Sequence, residues 1–333
     1  MQTVRWGVLG VSKFAMNKVI PAMRNCILAR VDAIASRDAG RAREAADAAG
    51  VAKSYGSYED LLADSEIDVI YNPLPNHMHV PWSVKAADHG KHVLCEKPVA
   101  LHAAQLDELI AARDRNKVQV AEAFMIRTHP QWLEAVDAVR RGSIGELRAV
   151  QTSFSYSNRD GKNIRNKLDT GGGAMMDIGC YAVNLSRLVF GSEPRRVIGV
   201  FGRDPEFGTD RLCSAILDFE TGQASFVCGT QHVPYQRVQI FGTTGRVELE
   251  IPFNAIPGER MRSFHDDGSS PQGKGAKVHE SPACDQYAIQ ADVFSRAVAG
   301  EGRVAVTLED SRNNMAVIDA LFRSGETGRW EQP

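Results

Sequence analysis

The stretch Val4-Arg-Trp-Gly-Val-Leu-Gly-Val-Ser-Lys-Phe-Ala15 decides the fold, because an apolar run leads through a glycine turn into a helical pattern. Val4–Leu9 is short and continuously apolar, which predicts a strand buried on both faces of a parallel sheet. Gly10, Ser12 and Ala15 stand on the spacing G-x-G-x-x-G/A, which offers backbone N–H groups at a helix start to a dinucleotide pyrophosphate. Ser12 replaces the second glycine, so the fingerprint alone is weak. A glycine turn that merely joins strand to helix is the alternative.

Apolar runs alternate with helical patterns through the first third of the chain. The predicted strands are Val4–Leu9, Ala29–Ala35, Ile67–Tyr71, His92–Cys95 and Val118–Ala121. The predicted helices are Met16–Arg24, Ala39–Ala49, Tyr58–Ala63, Val80–His89 and Ala103–Asn116. This alternation predicts a doubly wound α/β domain, which strengthens the cofactor-binding interpretation of the first turn.

The pattern changes beyond about residue 123. Helices are predicted over Trp132–Arg141, Ala174–Val189, Asp285–Val298 and Leu308–Ser324. Alternating apolar and polar residues predict antiparallel strands over Val197–Gly202, Leu212–Phe219, Ala224–Thr230, Arg237–Phe241 and Val247–Ile251. Residues 254–282 are polar and aperiodic, so we expect an exposed loop there. The second half of the chain is therefore predicted to be a different domain, built on an antiparallel sheet.

Length and composition exclude several classes of protein. A chain of 333 residues is longer than one core usually absorbs, which favours two domains. The 39 basic and 41 acidic side chains give a net charge of -2, so we predict neither a nucleic-acid nor a membrane partner. No apolar stretch of membrane-spanning length and no signal-peptide pattern is present, so we expect a cytoplasmic protein. Six separated cysteines predict buried, reduced thiols: Cys26, Cys95, Cys180, Cys213, Cys228 and Cys284.

The end of the second predicted strand sets the cofactor preference. An enzyme that uses NAD normally presents an acid there to the ribose 2′-OH, whereas this chain has Ser36 followed by Arg37. A hydroxyl and a guanidinium suit a 2′-phosphate, because arginine makes forked, charge-assisted hydrogen bonds. We therefore predict NADP and keep NAD as the alternative, since Arg37 could be a solvated residue before the next helix and Asp38 could reach the ribose.

Two loops follow neighbouring strands of the predicted parallel sheet. Pro73-Leu-Pro-Asn-His77 follows the third main strand and Cys95-Glu-Lys-Pro98 follows the fourth, at the carboxyl edge where open α/β sheets bind ligands. Pro98 fixes its turn and is a candidate for a cis peptide bond. His77 and His79 form an H-x-H pattern without a nearby acidic or cysteine cluster, which is a poor metal site. We predict no metal.

The second domain contributes Gly171-Gly-Gly-Ala-Met-Met-Asp-Ile-Gly-Cys-Tyr181. Asp177 and Tyr181 are four residues apart and share one face of a helix, and the preceding glycines permit close approach to another backbone. The residues by themselves suit two roles. They could be a catalytic pair, or a buried helix partner and a core aromatic whose hydroxyl is satisfied locally.

Together these motifs resemble the Gfo/Idh/MocA family, named after glucose-fructose oxidoreductase, inositol dehydrogenase and a rhizopine-catabolism protein. The matching stretches are Gly7–Gly10, Ala35–Arg37, Pro73–His77, Gly90–Pro98, Glu122–Met125, His129–Gln131 and Gly171–Tyr181. The chain is similar to the branch that holds glucose-fructose oxidoreductase, NADP-dependent D-xylose dehydrogenases, dihydrodiol dehydrogenase and ketosugar reductases. The resemblance implies an NADP-binding Rossmann domain over residues 1–122 and an α+β substrate-binding domain over 123–333, built on an open, mainly antiparallel sheet. It also implies a homodimer or homotetramer, because the open sheet commonly forms the oligomer interface.

The resemblance assigns roles to individual residues. It implies that Lys97 lies beside the reacting carbinol and the nicotinamide, that Tyr181 donates or accepts the proton, and that Asp177 is the acid on the same helix. Whether Lys97 or Tyr181 takes the proton stays open. The predicted substrate-binding residues are Lys97, Arg127, Arg165, Asp177 and Tyr181. The predicted cofactor-binding residues are Gly10, Ser12, Lys13, Phe14, Ala15, Ser36, Arg37, Arg41, Pro73, Leu74, Asn76, His77, Glu96 and Lys97.

The expected activity is hydride transfer between NADP and a hydroxyl or carbonyl carbon of a sugar or cyclic polyol. An aldose that reacts at C1, such as D-xylose or D-glucose, is the favoured substrate. Reduction of a ketosugar and oxidation of a trans-dihydrodiol are alternatives of the same class. A non-catalytic NADP-binding sensor or co-regulator is the alternative of a different class. The presence of Lys97, Asp177 and Tyr181 argues against it, because a pure binder does not need proton-handling groups.

Overall fold

The computed structural model describes residues 3–333, which form two compact units. The first unit runs to Thr128 and takes in Asp285–Arg312. The second consists of His129–Cys284 and Asn313–Pro333. Within residues 3–333, no helix combines the length and the apolar character that a bilayer crossing requires.

The helices have nearly the predicted bounds. They are α1 (Ile20–Met23), α2 (Ala39–Ala49), α3 (Tyr58–Ala63), α4 (His79–Asp88), α5 (Gln105–Asn116), α6 (Pro130–Arg140), α7 (Cys180–Phe190), α8 (Gln286–Val298) and α9 (Leu308–Thr327). Two π-helical segments, Ala15–Val19 and Met175–Gly179, lead directly into α1 and α7. Each π-helical segment lies in a stretch for which the sequence predicts a functional role, and π-helical turns are frequent at functional sites.

The first unit is built on a parallel sheet of six strands. These are β1 (Val4–Leu9), β2 (Ala29–Ala35), β3 (Lys53–Tyr55), β4 (Val69–Asn72), β5 (His92–Cys95) and β6 (Val120–Glu122). Their spatial order is β3-β2-β1-β4-β5-β6, so the chain reverses direction across the sheet between β1 and β4. Ligands of doubly wound folds bind at the carboxyl ends of the strands beside such a reversal. The predicted Rossmann architecture is confirmed.

The predicted division between residues 122 and 123 places α8 in the second domain. In the structure this helix belongs to the first unit. Trp6 Nε1 on β1 donates a hydrogen bond to Ser295 Oγ on α8 at 3.1 Å. The rings of Trp6 and Phe294 meet edge to face with centroids 5.6 Å apart. Both aromatic side chains are buried, so α8 completes the core under β1. A division drawn in sequence order cannot anticipate a late helix that packs against the first strand.

The second unit is built on an open sheet of eight strands. These are β7 (Leu147–Ser157), β8 (Arg196–Arg203), β9 (Asp210–Asp218), β10 (Gln223–Gly229), β11 (Gln231–Gly242), β12 (Arg246–Leu249), β13 (Arg262–Asp266) and β14 (Lys277–Glu280). The order is β14-β13-β12-β11-β7-β10-β9-β8, and every pair is antiparallel except β7 with β10. This confirms an open, mainly antiparallel sheet.

Two features of this sheet differ from the prediction. The central strand β7 is absent from the predicted set, because its polar Gln, Thr and Ser residues hide the buried alternation of Val150, Thr152 and Phe154. The expected loop over residues 254–282 contains β13 and β14, and Met261 and Ser263 are buried there. These edge strands carry few apolar residues, so their pattern is indistinct from that of a loop.

One face of the eight-stranded sheet packs against α6 and α7, and the opposite face is open. On β9, for example, Cys213, Ala215 and Leu217 are buried while the residues between them point outward. The open face carries large exposed apolar side chains: Val200, Ile216, Val227 and Tyr235. Antiparallel sheets can leave one face to solvent, but an apolar patch of this kind marks an interaction surface.

Candidate active site

The turn after β1 requires glycine at position 10. Gly10 has a φ of +82°, which L side chains rarely adopt, and its N–H donates to Ala35 O at 2.8 Å. A Cβ atom there would lie 3.0 Å from Leu74 Cδ2 and 3.5 Å from the Tyr58 hydroxyl. The bare backbone therefore leaves a cradle at the carboxyl end of β1 that a side chain would fill.

Ser12 has a structural task that explains its departure from the glycine fingerprint. Its Oγ accepts a hydrogen bond from Ala15 N at 3.1 Å, and its carbonyl accepts from Met16 N at 3.0 Å. These bonds cap the start of the helix that follows the turn. Ser12 and Ala15 thus lie at the helix N-terminus that the sequence assigned to the pyrophosphate, with Lys13 exposed beside them.

Asp38 is committed to capping α2. Its Oδ1 accepts from Arg41 N at 2.8 Å, which satisfies an N–H group of the first helical turn. Arg41 Nη2 in turn donates to Val11 O at 3.2 Å, so its guanidinium lies over the turn that follows β1. One oxygen of the Asp38 carboxylate is therefore used in the helix cap.

Two arginine side chains lie near the Tyr58 hydroxyl, at the carboxyl edge of the parallel sheet. Burial raises the pKa of Tyr58, while the positive charges of Arg37 and Arg41 oppose that rise. Arg37 is exposed, and the preceding Ser36 is buried with its N–H bonded to Tyr55 O at 3.0 Å. Two guanidinium groups beside a glycine cradle fit a dinucleotide that carries a 2′-phosphate.

His79 ties together the two loops at the carboxyl ends of β4 and β5. Its Nδ1 lies 2.7 Å from Pro98 O and its Nε2 lies 2.6 Å from Leu74 O. Burial has the largest effect on the pKa of His79 and lowers it to about 4, although the two carbonyls raise this pKa. The two loops therefore lie side by side, as the sequence predicts, and His79 is a buried structural link. The predicted cofactor residues Pro73, Asn76 and His77 lie in the first of these loops.

Lys97 lies in the second loop, next to an anchored carboxylate. Tyr71 Oη donates to Glu96 Oε1 at 2.6 Å, and Glu96 N donates to Asn72 O at 3.0 Å. Burial and the Glu96 charge both raise the pKa of Tyr71, so the phenol stays a donor. The Lys97–Pro98 peptide bond is cis, and the Lys97 side chain is partly exposed. A rigid turn thus presents this amine at the ligand-binding edge of the sheet.

Arg127 and Phe14 have partners within the first unit. Arg127 Nη1 lies 3.0 Å from Asp310 Oδ2, an ion pair that accounts for this guanidinium without a substrate. The Phe14 ring meets the Tyr287 ring edge to face at 5.4 Å. The predicted ligand contacts of both residues stay predictions.

The carboxylate of Asp177 is the centre of a polar cluster in the second unit. Tyr156 Oη donates to Asp177 Oδ2 at 2.5 Å, and Arg165 Nε lies 2.9 Å from Asp177 Oδ1. Burial and the negative charge of Asp177 raise the pKa of Tyr156 well above its ordinary value. The phenol and the guanidinium hold Asp177 as an oriented anion. The structure thus brings Arg165 to Asp177, two residues that the sequence assigned to substrate binding.

The Tyr181 ring is fixed by aromatic neighbours on the inner face of the sheet. Tyr181 is buried, with its ring centroid 5.9 Å from that of Phe154 and 5.3 Å from that of Phe253. Trp132 stacks on Phe253 and donates from Nε1 to Pro252 O at 2.6 Å. Such packing leaves the phenol few rotamers, so its hydroxyl has a defined position.

Asp210 on β9 holds the segment that carries Asp177. Its Oδ2 accepts from Met175 N at 2.6 Å, at the start of the π-helical turn. Gly173 has a φ of +114°, and a Cβ atom there would overlap Asp210 Oδ1 at 1.9 Å. Burial raises the pKa of Asp210 to about 6. The absence of a side chain at Gly173 therefore leaves room for the buried Asp210 carboxylate, and Gly172 allows the Arg165 backbone to lie close.

Two family models match successive parts of the chain. Residues 4–124 match the model described as oxidoreductase family, NAD-binding Rossmann fold, and residues 132–248 match the GFO/IDH/MocA C-terminal domain. The chain belongs to the Gfo/Idh/MocA family of oxidoreductases. It is therefore an NAD(P)-dependent enzyme.

Three similar Gfo/Idh/MocA proteins extend over nearly the whole chain. The uncharacterized oxidoreductase ORF334 of Rhizobium meliloti is 46% identical over 99% of both chains. D-xylose 1-dehydrogenase (NADP(+)) 2 of Haloferax volcanii is 37% identical, over 97% of this chain and 98% of the relative. A solved 3-ketoreductase from Actinomadura kijaniata, in complex with NADP and TDP-benzene, has a TM-score of 0.89 at 29% identity. That match covers 97% of this chain and 98% of the reductase.

Sequence reasoning missed two polar residues of this Gfo/Idh/MocA site. Tyr156 lies on β7, where Val150, Thr152 and Phe154 already point to the inner face, so a period of two would have placed Tyr156 there as well. Asp210 carries no sequence signal, because its role depends on the approach of β9 to a distant glycine turn.

Proposed function

We propose that the chain transfers hydride between NADP and a hydroxyl or carbonyl carbon of a sugar, with oxidation of an aldose at C1 as the preferred reaction. The observation that carries the proposal is the oriented Asp177 carboxylate, held by Tyr156 and Arg165 one helical turn before Tyr181. A full-length similarity to a D-xylose 1-dehydrogenase supports the choice of an aldose.

NADP is the favoured cofactor because Arg37 and Arg41 lie at the end of β2 and Asp38 is occupied as a helix cap. We assign Arg37 and Arg41, with the hydroxyl of Ser36, to the 2′-phosphate. Gly10, Ser12 and Ala15 serve the pyrophosphate at the helix start. The bound cofactor supplies the hydride acceptor or donor.

The protein's own task is orientation and proton handling. Conversion of a carbinol to a carbonyl removes a hydride from carbon and a proton from oxygen, and the proton needs a side-chain acceptor or relay. We assign it to Tyr181 Oη or Lys97 Nζ. Asp177 and Arg165 are assigned to the sugar hydroxyls, since a fixed carboxylate and a fixed guanidinium distinguish hydroxyl positions by hydrogen bonding.

Reduction of a ketosugar is the second candidate. It is favoured by the similarity to a 3-ketoreductase over 97% of the chain. The reaction would then proceed in the opposite direction. Tyr181 or Lys97 would donate a proton to the carbonyl oxygen as hydride is transferred to the carbon.

A substrate panel tests the proposed reaction. The purified protein is incubated with NADP, and separately with NAD, against D-xylose, D-glucose, other aldoses, inositols and a trans-dihydrodiol, and the absorbance of reduced nicotinamide is followed. Turnover of an aldose with NADP is the expected result. A parallel assay supplies NADPH and a ketosugar. Turnover of a dihydrodiol, or turnover only in that reductive assay, would overturn the aldose assignment. NADP binding without any turnover would favour a sensor.

The open sheet face suits a second copy of this chain. Val200, Ile216, Val227 and Tyr235 form an exposed apolar patch on one face of the sheet. A sheet face that pairs with its own copy around a two-fold axis gives a closed dimer. We propose a homodimer, or a tetramer built from such dimers.

A further inference from the structure

Three metal-ligand side chains meet at the edge of the eight-stranded sheet. Glu134 lies on α6, His265 on β13 and His279 on β14. One ligand atom from each residue lies within 4.8 Å of the other two. His279 Nδ1 is 3.0 Å from Glu134 Oε1, and the two imidazole centroids are 4.1 Å apart. This group, the edge cluster, contains none of the residues assigned to cofactor or substrate.

The fold sets the spacing of the edge cluster. In the antiparallel pairing of β13 with β14, Ser263 opposes His279 and His265 opposes Lys277. The two histidines are therefore diagonal neighbours on one face of the hairpin. Helix α6 packs against β13, which brings the Glu134 carboxylate to the same place. Three backbone elements, rather than one flexible loop, present the three ligands.

A buried hydroxyl orients one of the ligands. Ser263 is buried, and its Oγ lies 3.2 Å from His265 Nε2. When Nε2–H of His265 donates a hydrogen bond to this hydroxyl oxygen, Nδ1 keeps the lone pair that a metal requires. Outer hydrogen bonds of this kind fix the tautomer of metal-binding histidines. Burial and the neighbouring His279 also lower the pKa of His265, which favours the neutral imidazole.

We propose that Glu134, His265 and His279 bind a divalent transition-metal ion, with Zn²⁺ as the fitting ion. Two imidazoles and one carboxylate form a set that zinc accepts, with water in the fourth position. Mg²⁺ and Ca²⁺ prefer oxygen ligands and are disfavoured by the two histidines. The ion would join the edge hairpin to α6 and has a structural role, separate from hydride transfer.

The charges around the edge cluster predict how binding depends on pH. Positive side chains nearby are Arg141, which lies 3.0 Å from its partner Asp137, and Lys277, which opposes His265 across the hairpin. Glu134 is the negative group that faces both histidines. Imidazole and carboxylate groups bind a metal ion in their deprotonated forms, so binding releases protons and weakens as the pH falls.

Metal titration of the full chain, expressed without a histidine tag, tests the proposal. The protein is dialysed against a chelator and titrated with Zn²⁺ by calorimetry, and Co²⁺ absorption reports the coordination geometry. The expected result is one ion per chain and an unfolding temperature that rises with Zn²⁺ concentration. We expect His279→Ala and Glu134→Gln each to weaken binding by about tenfold or more.

The control variant is His102→Ala, which removes an exposed histidine outside the edge cluster. The His279 and Glu134 side chains are 42% and 35% exposed, so their replacement should leave the fold intact, and retained NADP binding checks this. Absence of Zn²⁺ binding at micromolar concentration would overturn the proposal. Binding that His102→Ala weakens as much as His279→Ala does would also overturn it.

Discussion

One exposed guanidinium at the end of β2 determines the cofactor preference in this account. We expect Arg37→Ala to weaken NADP binding by about tenfold or more and to leave NAD binding unchanged, because a hydrogen bond between charged groups contributes about 1.5–3 kcal/mol. Fluorescence titration with both cofactors measures the effect. Arg43→Ala, on the exposed side of α2, is the matched control. Equal losses for NADP and NAD would contradict the assignment.

A single phenol holds the acid of the proposed sugar site. We expect Tyr156→Phe to lower kcat/KM by about tenfold, because it removes the 2.5 Å hydrogen bond to Asp177, while NADP affinity is unchanged. The control is Tyr55→Phe, which removes a similar phenol-to-carboxylate bond, to Asp64 at 2.7 Å, in the first unit. Steady-state kinetics with the best aldose measures both variants. Equal losses in the two would show that Tyr156 acts through stability alone.

Helices and strands with a strong local hydrophobic pattern were the ones whose bounds the sequence predicted. Strands β1 and β2 and helices α2 and α3 have the predicted bounds, because continuous apolar runs or a clear 3.6-residue stripe define them. Strand β7 was not predicted, because its polar Gln, Thr and Ser residues hide the alternation of buried side chains. The positions of residues 73–77 and of Lys97 at the carboxyl ends of β4 and β5 could be predicted because they follow strands directly. The contact between Asp210 and Met175 depends on the tertiary structure.

The link between the β4 and β5 loops predicts a pH dependence. His79 has a pKa of about 4 when folded against an ordinary 6.5, so the unfolded chain binds more protons between these values. Its contribution to stability is present above about pH 6.5 and is lost as the pH falls towards 4. We expect His79→Gln to flatten the fall in the free energy of unfolding between pH 7 and pH 5, as measured by urea titration. His129 is buried, with its pKa lowered to about 4 as well, and serves as the comparison.

An unchanged slope in His79→Gln would contradict this interpretation of the loop link. His129→Gln should flatten the slope by a similar amount, because burial lowers both pKa values. Only the first variant should also impair turnover, since His79 bonds the loop that carries Lys97.

At the scale of the whole molecule, the open sheet face predicts assembly. Val200 is 72% exposed on β8, and an aspartate there would place a charge in the proposed interface. We expect Val200→Asp to shift the protein towards monomer in sedimentation velocity, with its fold retained. Leu133→Asp is the control, because this side chain is 55% exposed on α6, which packs against the opposite face of the sheet. A wild-type monomer at all concentrations would contradict the proposed dimer.

The division of the whole chain into units was the least predictable feature. The change of pattern near residue 123 precedes His129, the first residue of the second unit. The packing of α8 against β1 joins Trp6 to Ser295, which are 289 residues apart in the sequence, and neither periodicity nor composition indicates such a contact.

The proposed roles of Lys97 and Tyr181 are tested by NADP-dependent turnover of an aldose in the wild type, Lys97→Ala and Tyr181→Phe, with NADP binding measured on the same samples. Lys162→Ala, an exposed lysine, is the control. We expect wild-type turnover, a loss of about a hundredfold or more in both site variants, and retained NADP binding in all four proteins. A wild type that binds no NADP, or a Lys97→Ala variant with full activity, would contradict the proposal.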